Sequence, residues 1–420
     1  MSEIFVYADW IDLKGPHLMG TLNTELLRGK EIFSFSYEKS WLDTGMAQEL
    51  DPDLKMYTGP QFINDDKPNF GLFLDSSPDR WGRVLMKRRE AINARDAERS
   101  QNLLFESDFL LGVNDETRMG ALRFKLDPYG PFLNEGNEMP IPPINTIRAL
   151  EQASLRYEDD NFIDDPKAKE WLDLLFAPGS PLGGARPKAN VVDTKGHLVI
   201  AKFPSKNDII NSGAWEYICY QMAIDYGIRM ADCDAHIYSR DQHTFLTKRF
   251  DRLGTDRVHF ASAMTLLGYK DGHDHAQGGS YLEIVELIEQ YGADPTVDIR
   301  ELWKRIVFSV AVSNTDDHLR NHGFLLNPKK GWKLSPAYDI NPIPDGYGLS
   351  LNIDEDSNSL SFDLCLEVHS YFRWKEEEAI KEIERIKEIR QSWEAIARQM
   401  KLNRNEIELV RPAFDKQMKL

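Results

Sequence analysis

An apolar helical run, Ile306 to Val312, ends in ten mostly polar residues, Ser313-Asn-Thr-Asp-Asp-His-Leu-Arg-Asn-His322. The chain then turns strand-like at Gly323-Phe-Leu-Leu326, reverses at Asn327-Pro-Lys-Lys-Gly331, and runs through Trp332-Lys-Leu334 to Ser335-Pro-Ala-Tyr-Asp-Ile-Asn-Pro342. A hairpin closed by such a turn sets its two ends side by side, so Asp339 is expected close to Asp316 and Asn321. Two carboxylates and a carboxamide are hard oxygen donors, the set that suits Mg²⁺ shared with phosphate oxygens. Asp316 precedes Asn321 by five positions, the spacing of the catalytic Asp and metal-binding Asn in the kinase loop D-x-x-x-x-N. Asp339 follows the hairpin where a kinase carries its metal-binding Asp. A helix end capped by Asp and Asn is the bland alternative; convergence of three metal-type oxygens favours the functional one.

A second cluster lies upstream. Gly179-Ser-Pro-Leu-Gly-Gly-Ala-Arg-Pro-Lys188 offers backbone N–H groups and two cations to phosphates. It is not a Walker A loop, because Ala185 stands where the lysine is required, and a Gly-Gly loop alone is more often a turn. Lys202 strengthens the signal: it interrupts the apolar strand Leu198-Val-Ile-Ala-Lys-Phe203, and a strand lysine after a Gly-rich loop is how kinases reach the α- and β-phosphates. An edge-strand lysine facing solvent is the ordinary alternative. Glu216, on the next helix, stands where a kinase supplies the lysine's partner. Thr247-Lys-Arg-Phe-Asp-Arg252 closes the strand-rich half; it is either a hinge whose backbone holds an adenine ring or a strand end with an ion pair.

The composition of the 420 residues bounds the partners. Fifty-one Lys+Arg against 68 Asp+Glu give a net charge of −17, which argues against a phosphate backbone held over the whole surface. Three widely spaced cysteines form no disulfide framework, the N-terminus lacks a signal pattern, and no apolar run has the length of a membrane span, so a cytoplasmic chain is expected. Strands are expected at Ile4 to Ala8 and Ile32 to Tyr37, with helices from Pro78 to Arg99 and from Ser107 to Gly112. A hairpin is expected over residues 190–203, then a buried helix from Ala214 to Tyr226 stopped by Gly227, and a strand pair at 235–238 and 243–247. Helices should follow at 281–291, 299–313 and 375–400, the last with a stripe of Ile380, Ile383, Ile386, Trp393, Ile396 and Met400. Strands first and helices last give an α+β chain.

A competing set is His273-x-His275 in a glycine-flanked loop. With Asp316, Asp317, His318 and His322 it suggests a Zn²⁺- or Mn²⁺-dependent hydrolase. That reading leaves Lys188, Lys202 and the Gly-rich loop without a role. A non-catalytic ATP-binding module is a further alternative.

Taken as an ordered set, these motifs resemble the HipA family of bacterial toxin kinases, whose fold is a divergent protein-kinase-like one. The resemblance rests on Phe35-Ser-Tyr37, Trp41-Leu42, Pro78-Asp-Arg-Trp-Gly82 and Arg118-Met-Gly-Ala-Leu-Arg-Phe124 in a small N-terminal β subdomain. It continues through Gly183-Gly-Ala-Arg-Pro-Lys-Ala189, Val199-Ile-Ala-Lys202, Lys248-Arg-Phe-Asp-Arg252, Asn314 to Asn321 and Tyr338-Asp339. It implies a two-lobe fold: residues 1–125 as the β-rich subdomain with following helices, 126–250 as the N-lobe-like part, and 251–420 as the helical C-lobe. It implies a Ser/Thr protein kinase using ATP and Mg²⁺, with Asp316 orienting or deprotonating the attacking hydroxyl and Asn321 and Asp339 holding the metal. Gly183, Gly184, Ala185, Arg186, Lys188 and Lys202 would receive the phosphates, backbone from Lys248 through Arg249 to Phe250 the adenine, and His318 and Tyr338 would line the site. The family also implies a HipB-like helix-turn-helix antitoxin that makes the DNA contact, and a protein substrate such as a translation factor or aminoacyl-tRNA synthetase. Members often autophosphorylate a serine in the phosphate loop; here Pro181 occupies the expected place and Ser180 lies one residue earlier.

Overall fold

The alternation at Ile4, Val6 and Ala8 becomes strand β1 (Ser2–Ala8), with those three side chains buried. The computed structural model describes residues 2–63, 67–134, 141–159, 162, 165, 167–176, 184–239 and 241–416. It divides into two units: Met1–Lys206 with Lys248–Ala261, and Asn207–Thr247 with Ser262–Leu420.

In the first unit β1 joins β2 (His17–Leu27), β3 (Lys30–Tyr37), β4 (Gln61–Phe62) and β5 (Leu122–Lys125) in an antiparallel sheet of order β4-β3-β2-β1-β5. Strand β2 was not expected from the sequence. Its register against β1 slips between Val6 and Tyr7, which breaks the two-residue period by which a strand is read. Gly20 sits at that slip, where a Cβ would stand 2.3 Å from the Ser36 carbonyl and 2.5 Å from the Phe35 ring. Helix α1 (Arg80–Asp96) follows, with Asp79 as N-cap accepting from the Gly82 amide at 2.8 Å. Much of its positive charge is spent internally: Arg83 forks onto Glu106 of α2 (Glu106–Leu111) at 2.6 and 2.7 Å, and Arg88 donates to the Tyr157 carbonyl at the end of α3 (Ile147–Tyr157). Helix α4 (Ala168–Phe176) had no counterpart in the sequence reading. The predicted hairpin is present as β6 (Lys188–Val192) and β7 (Leu198–Lys202).

In the second unit α5 (Ser212–Tyr226) starts under an Asn211 cap and stops at Gly227, whose φ of +82° suits glycine. Strands β8 (Cys233–Ile237) and β9 (His243–Lys248) form a hairpin. Helix α6 (Tyr281–Tyr291) opens on a Ser280/Glu283 capping box. Helix α7 (Pro295–Val312) begins with Pro295 in its first turn and ends on Ser313 at φ +52°. From Leu302 to Val312 its apolar residues are wholly buried around the helix, so it is the axis of this unit's core. It feeds the predicted hairpin β10 (Gly323–Asn327) and β11 (Gly331–Leu334). The expected single helix over 375–400 is two, α9 (Glu376–Arg390) and α10 (Trp393–Gln399), after α8 (Phe362–Glu367) and before α11 (Arg404–Asp415). Ser392 marks the break, its hydroxyl bonding back to the Ile389 carbonyl at 2.7 Å. The stripe is corrected with it: Ile383, Ile386 and Trp393 are buried, whereas Ile380 is exposed. Among the described residues no helix is long and apolar enough to cross a membrane.

Candidate active site

In the second unit the segment from Ser313 to Asn321 and the segment from Tyr338 to Ile343 run alongside one another. The Tyr338 hydroxyl donates to the Arg320 carbonyl at 2.6 Å, the Asn341 amide to Asn314 Oδ1 at 3.1 Å, and the Ile343 amide to the Ser313 carbonyl at 3.0 Å. Asp339, between those anchors, has φ +58°, a left-handed conformation sparsely used by non-glycine residues, and Asn341 Nδ2 donates to its Oδ1 at 3.2 Å. Asn321 points its Nδ2 at the Asp316 carbonyl, 2.9 Å away, which fixes the amide orientation. Its Oδ1 is thereby left buried without a hydrogen-bond partner among the described residues, and His318 Nδ1 is in the same condition. An orphaned amide oxygen beside a loop carboxylate is a donor set suited to a hard divalent cation.

Asp317, next to Asp316, turns inward. Tyr281 Oη donates to its Oδ2 at 2.7 Å, Ser309 Oγ to the same oxygen at 3.4 Å, and His322 Nε2 lies 3.1 Å from Oδ1. Burial alone would raise this carboxyl's pKa, but His322 and the donated hydrogen bonds outweigh it and hold the group below the usual carboxylate range. The same contact works the other way on Tyr281, whose hydroxyl is pushed well above its ordinary value by burial and then by Asp317.

The first unit carries the cationic residues. Lys188 and Lys202 are register partners across β6 and β7, two like charges placed opposite one another. Lys188 Nζ is ion-paired to Asp79 Oδ2 at 2.7 Å with both side chains buried, and Trp81 Nε1 donates to the Lys188 carbonyl at 3.0 Å. The motif Pro78-Asp-Arg-Trp-Gly82 thus anchors the strand that follows the Gly-rich loop, a role its sequence did not show. Gly184, at φ +90°, and Ala185 are exposed and Arg186 is half-buried; Gly183 and Ser180 lie outside the described residues.

Residues 248–252 form a buried ionic knot. Arg249 bonds Asp251 at 2.6 and 2.8 Å, the Thr117 carbonyl at 2.6 Å and Asn190 Oδ1 at 3.3 Å. Asp251 Oδ2 also accepts from Arg252 at 2.7 Å and from the Gly120 amide at 2.8 Å. The two motifs Arg118-Met-Gly-Ala and Lys-Arg-Phe-Asp-Arg252 therefore meet, which leaves backbone rather than the Arg249 side chain to face a ligand. Burial pushes Arg252 down to about 9, against the pull of Asp251. Lys248 and Phe250 are half-buried.

The histidine pair of the hydrolase alternative is engaged otherwise. His273 stacks on Tyr269 with ring centroids 3.7 Å apart, and His275 opens a short turn capped by Asp274. Among the described residues no three His, Cys, Asp or Glu side chains gather to hold a metal ion, so that alternative finds no ligand set.

Residues 180–402, more than half of the chain, match the model of the HipA-like C-terminal domain. The chain belongs to the HipA-like C-terminal domain family. It is similar to a Haemophilus influenzae protein named "Putative kinase", 24% identical over 193 residues that make up 41% of this chain and 56% of that protein. It is also similar to "Putative kinase Y4dM" of Sinorhizobium fredii, 32% identical over 117 residues, 27% of this chain and 26% of that protein. The matches thus span about half and about a quarter of those relatives' own lengths. Among solved structures, a chain of the Shewanella oneidensis MR-1 toxin–antitoxin complex of HipA, HipB and operator DNA superposes with a TM-score of 0.66 at 16% identity. That likeness covers 99% of this chain and 97% of the other, and it shows the α+β, divergent kinase-like fold of HipA.

The HipA-like assignment sorts the expected residues by unit. Asp316, His318, Asn321, Tyr338 and Asp339 are brought together in the second; Gly184, Lys188, Lys202 and Arg249 are tied to one hairpin in the first. Asp79, Asp317, Asn314 and Asn341 were missed as partners. Asp79 and Asp317 were visible as acids inside quoted motifs, but only burial shows what they hold.

Proposed function

We propose that this HipA-like protein is an ATP-dependent protein kinase that transfers the γ-phosphoryl group to a serine or threonine hydroxyl. The observation that carries the reading is Asn321, whose buried amide oxygen has no hydrogen-bond partner among the described residues, five residues after Asp316 in a segment stitched to the loop that bears Asp339. Asn321 and Asp339 would hold Mg²⁺, whose charge when bound offsets that of the phosphate oxygens. Asp316 aligns the acceptor hydroxyl and takes its proton, Lys202 meets the α- and β-phosphates, and Lys188 adds positive charge. Backbone from Lys248 to Phe250 takes the adenine. The catalytic work is positioning and charge stabilisation.

By analogy with the Shewanella complex, a HipB-like helix-turn-helix antitoxin is the partner that neutralises the chain and makes the DNA contact. A translation factor or aminoacyl-tRNA synthetase is the class of substrate the family suggests. The deciding experiment is Mg²⁺-dependent transfer of labelled γ-phosphate, alone and in a bacterial lysate, with wild type beside Asp316→Ala and Asp339→Asn. A labelled band abolished in both variants is expected, with losses of orders of magnitude; no transfer and no ATP binding would overturn the proposal. Ser180 as an autophosphorylation site is checked by intact mass after Mg-ATP, where an unmodified Ser180 peptide excludes it.

A further inference from the structure

Asp317 takes no part in the chemistry proposed above, yet it is buried and fully engaged. Its Oδ2 is the end of a run of hydrogen bonds that crosses the core of the second unit. Ser309 Oγ donates to it at 3.4 Å, Asn314 Nδ2 donates to Ser309 Oγ at 3.2 Å, and the Asn341 amide donates to Asn314 Oδ1 at 3.1 Å. Asn341 then donates its Nδ2 to Asp339 Oδ1 at 3.2 Å. The run has one polarity on each side of Asn341: donors point toward Asp317 through two side chains and toward Asp339 directly. Two carboxylates at the acceptor ends fix which way both carboxamides face, because a flipped amide would set oxygen against oxygen. Tyr281 Oη, at 2.7 Å, pins the Asp317 end to the first residue of α6.

We propose that Asp317 is a positioning residue. Through Ser309, Asn314 and Asn341 it locks the segment bearing Asp316 and Asn321 and the loop bearing Asp339 into one register. The inference rests on the kinase reading of those three residues. Ser309 is the junction with the helix: its single hydroxyl donates to Asp317 and accepts from Asn314, both of the segment bearing Asp316 and Asn321, while Asn314 Oδ1 receives the Asn341 amide of the Asp339 loop. Ser309 projects from the last turns of α7, the most buried helix of the unit among the described residues. A rigid helix thereby becomes the common reference for two loops whose functional groups must agree to within a fraction of an ångström. Asp339 is held left-handed, and the side-chain run adds to the backbone bond from the Ile343 amide to the Ser313 carbonyl that also ties its loop to that segment.

The test uses the full-length protein with Ser309→Ala, Asn341→Ala, their double variant and Asp317→Asn. Four quantities are read: thermal midpoint, KM for ATP, kcat for phosphoryl transfer, and affinity for Mn²⁺·ATP by electron paramagnetic resonance. Ser309→Ala should lower kcat by roughly 10- to 100-fold, as a misplacement near 1 Å does. It should weaken Mn²⁺ binding by about tenfold and leave KM for ATP within about threefold, with the thermal midpoint little changed. A merely structural serine would move the midpoint and leave kcat and Mn²⁺ affinity of the folded fraction alone. The double variant should be no worse than the more damaging single, because both cut the same run. Wild-type kcat and Mn²⁺ affinity in folded Ser309→Ala and Asp317→Asn would overturn the positioning role while leaving the kinase standing, as would additive losses in the double variant. A wild-type protein that neither binds Mn²⁺·ATP nor transfers phosphate would overturn both.

Discussion

Replacing Asp251 by Asn removes one charge and almost no volume from the ionic knot of the first unit. The carboxylate accepts from Arg249 at 2.6 and 2.8 Å, from Arg252 at 2.7 Å and from the Gly120 amide at 2.8 Å, and neither its side chain nor that of Arg249 reaches solvent. Asparagine keeps one acceptor oxygen and points an NH₂ where a guanidinium donates, so two buried cations lose their counter-charge and a donor faces a donor. A charge pair near 4 Å is worth about 4 kcal/mol at an effective dielectric of ~20. Breaking one partner of a buried pair costs about 3–5 kcal/mol for the same reason. A loss of about 4 kcal/mol is expected. With a urea slope of roughly 2–3 kcal/mol per molar, the first-unit transition followed by tryptophan fluorescence should move down by about 1.3–2 M. The pH dependence has a definite sign. Burial pushes this carboxyl up, but Arg249 and Arg252 outweigh it and hold it well below the ordinary carboxylate range. Its stabilisation is therefore present above the unfolded value, about 4, and is lost as pH falls below that. The gap between wild type and Asp251→Asn should narrow in that window. A loss below about 1 kcal/mol at pH 7, or a gap that does not change with acid, would refute a sealed ionic knot.

Three further outcomes are expected. Gly213→Ala should destabilise the second unit by about 3 kcal/mol in thermal or urea melts, although alanine is the better helix former by about 1 kcal/mol. The reason is that its Cβ would stand 2.1 Å from the His243 carbonyl, and a stabilised variant would contradict that close approach. His259, buried against Trp10, has its pKa pushed down to about 3 by burial, so the unfolded chain binds a proton that the folded one refuses. Stability should fall as pH drops from about 6.5 toward 3, by up to ~5 kcal/mol, and His259→Leu should flatten that slope. Lys188→Met and Asp79→Ala should each cost about 3–5 kcal/mol by stranding a buried charge, the latter about 1 kcal/mol more because it also removes the α1 cap. Equal and negligible losses in both would show that the pair is solvated.

What the sequence by itself determined is local. The five-residue spacing of Asp316 and Asn321, the turn at Asn327 to Gly331, the Gly227 stop and the hairpin ending at Lys202 each involve residues a few positions apart. Their geometry follows from turn chemistry and backbone sterics, and the structure has them where the pattern put them. Family resemblance was legible for the same reason, because its motifs are short and keep their order. Strand β2 was lost because a one-residue slip at Gly20 erases the period that identifies a strand, and the break at Ser392 hides in a run of good helix formers. Tertiary structure alone decided the pairings. Asp79 meets Lys188 across 109 positions and Arg249 meets Thr117 across 132, and nothing in either segment names its partner. Asp317 is four residues from Asn321 in a motif full of polar groups, but its inward turn depends on Ser309 and Tyr281 arriving on two packed helices. A charged side chain shows its type in the sequence; its burial, which sets what that charge is worth, exists only once distant elements have closed over it.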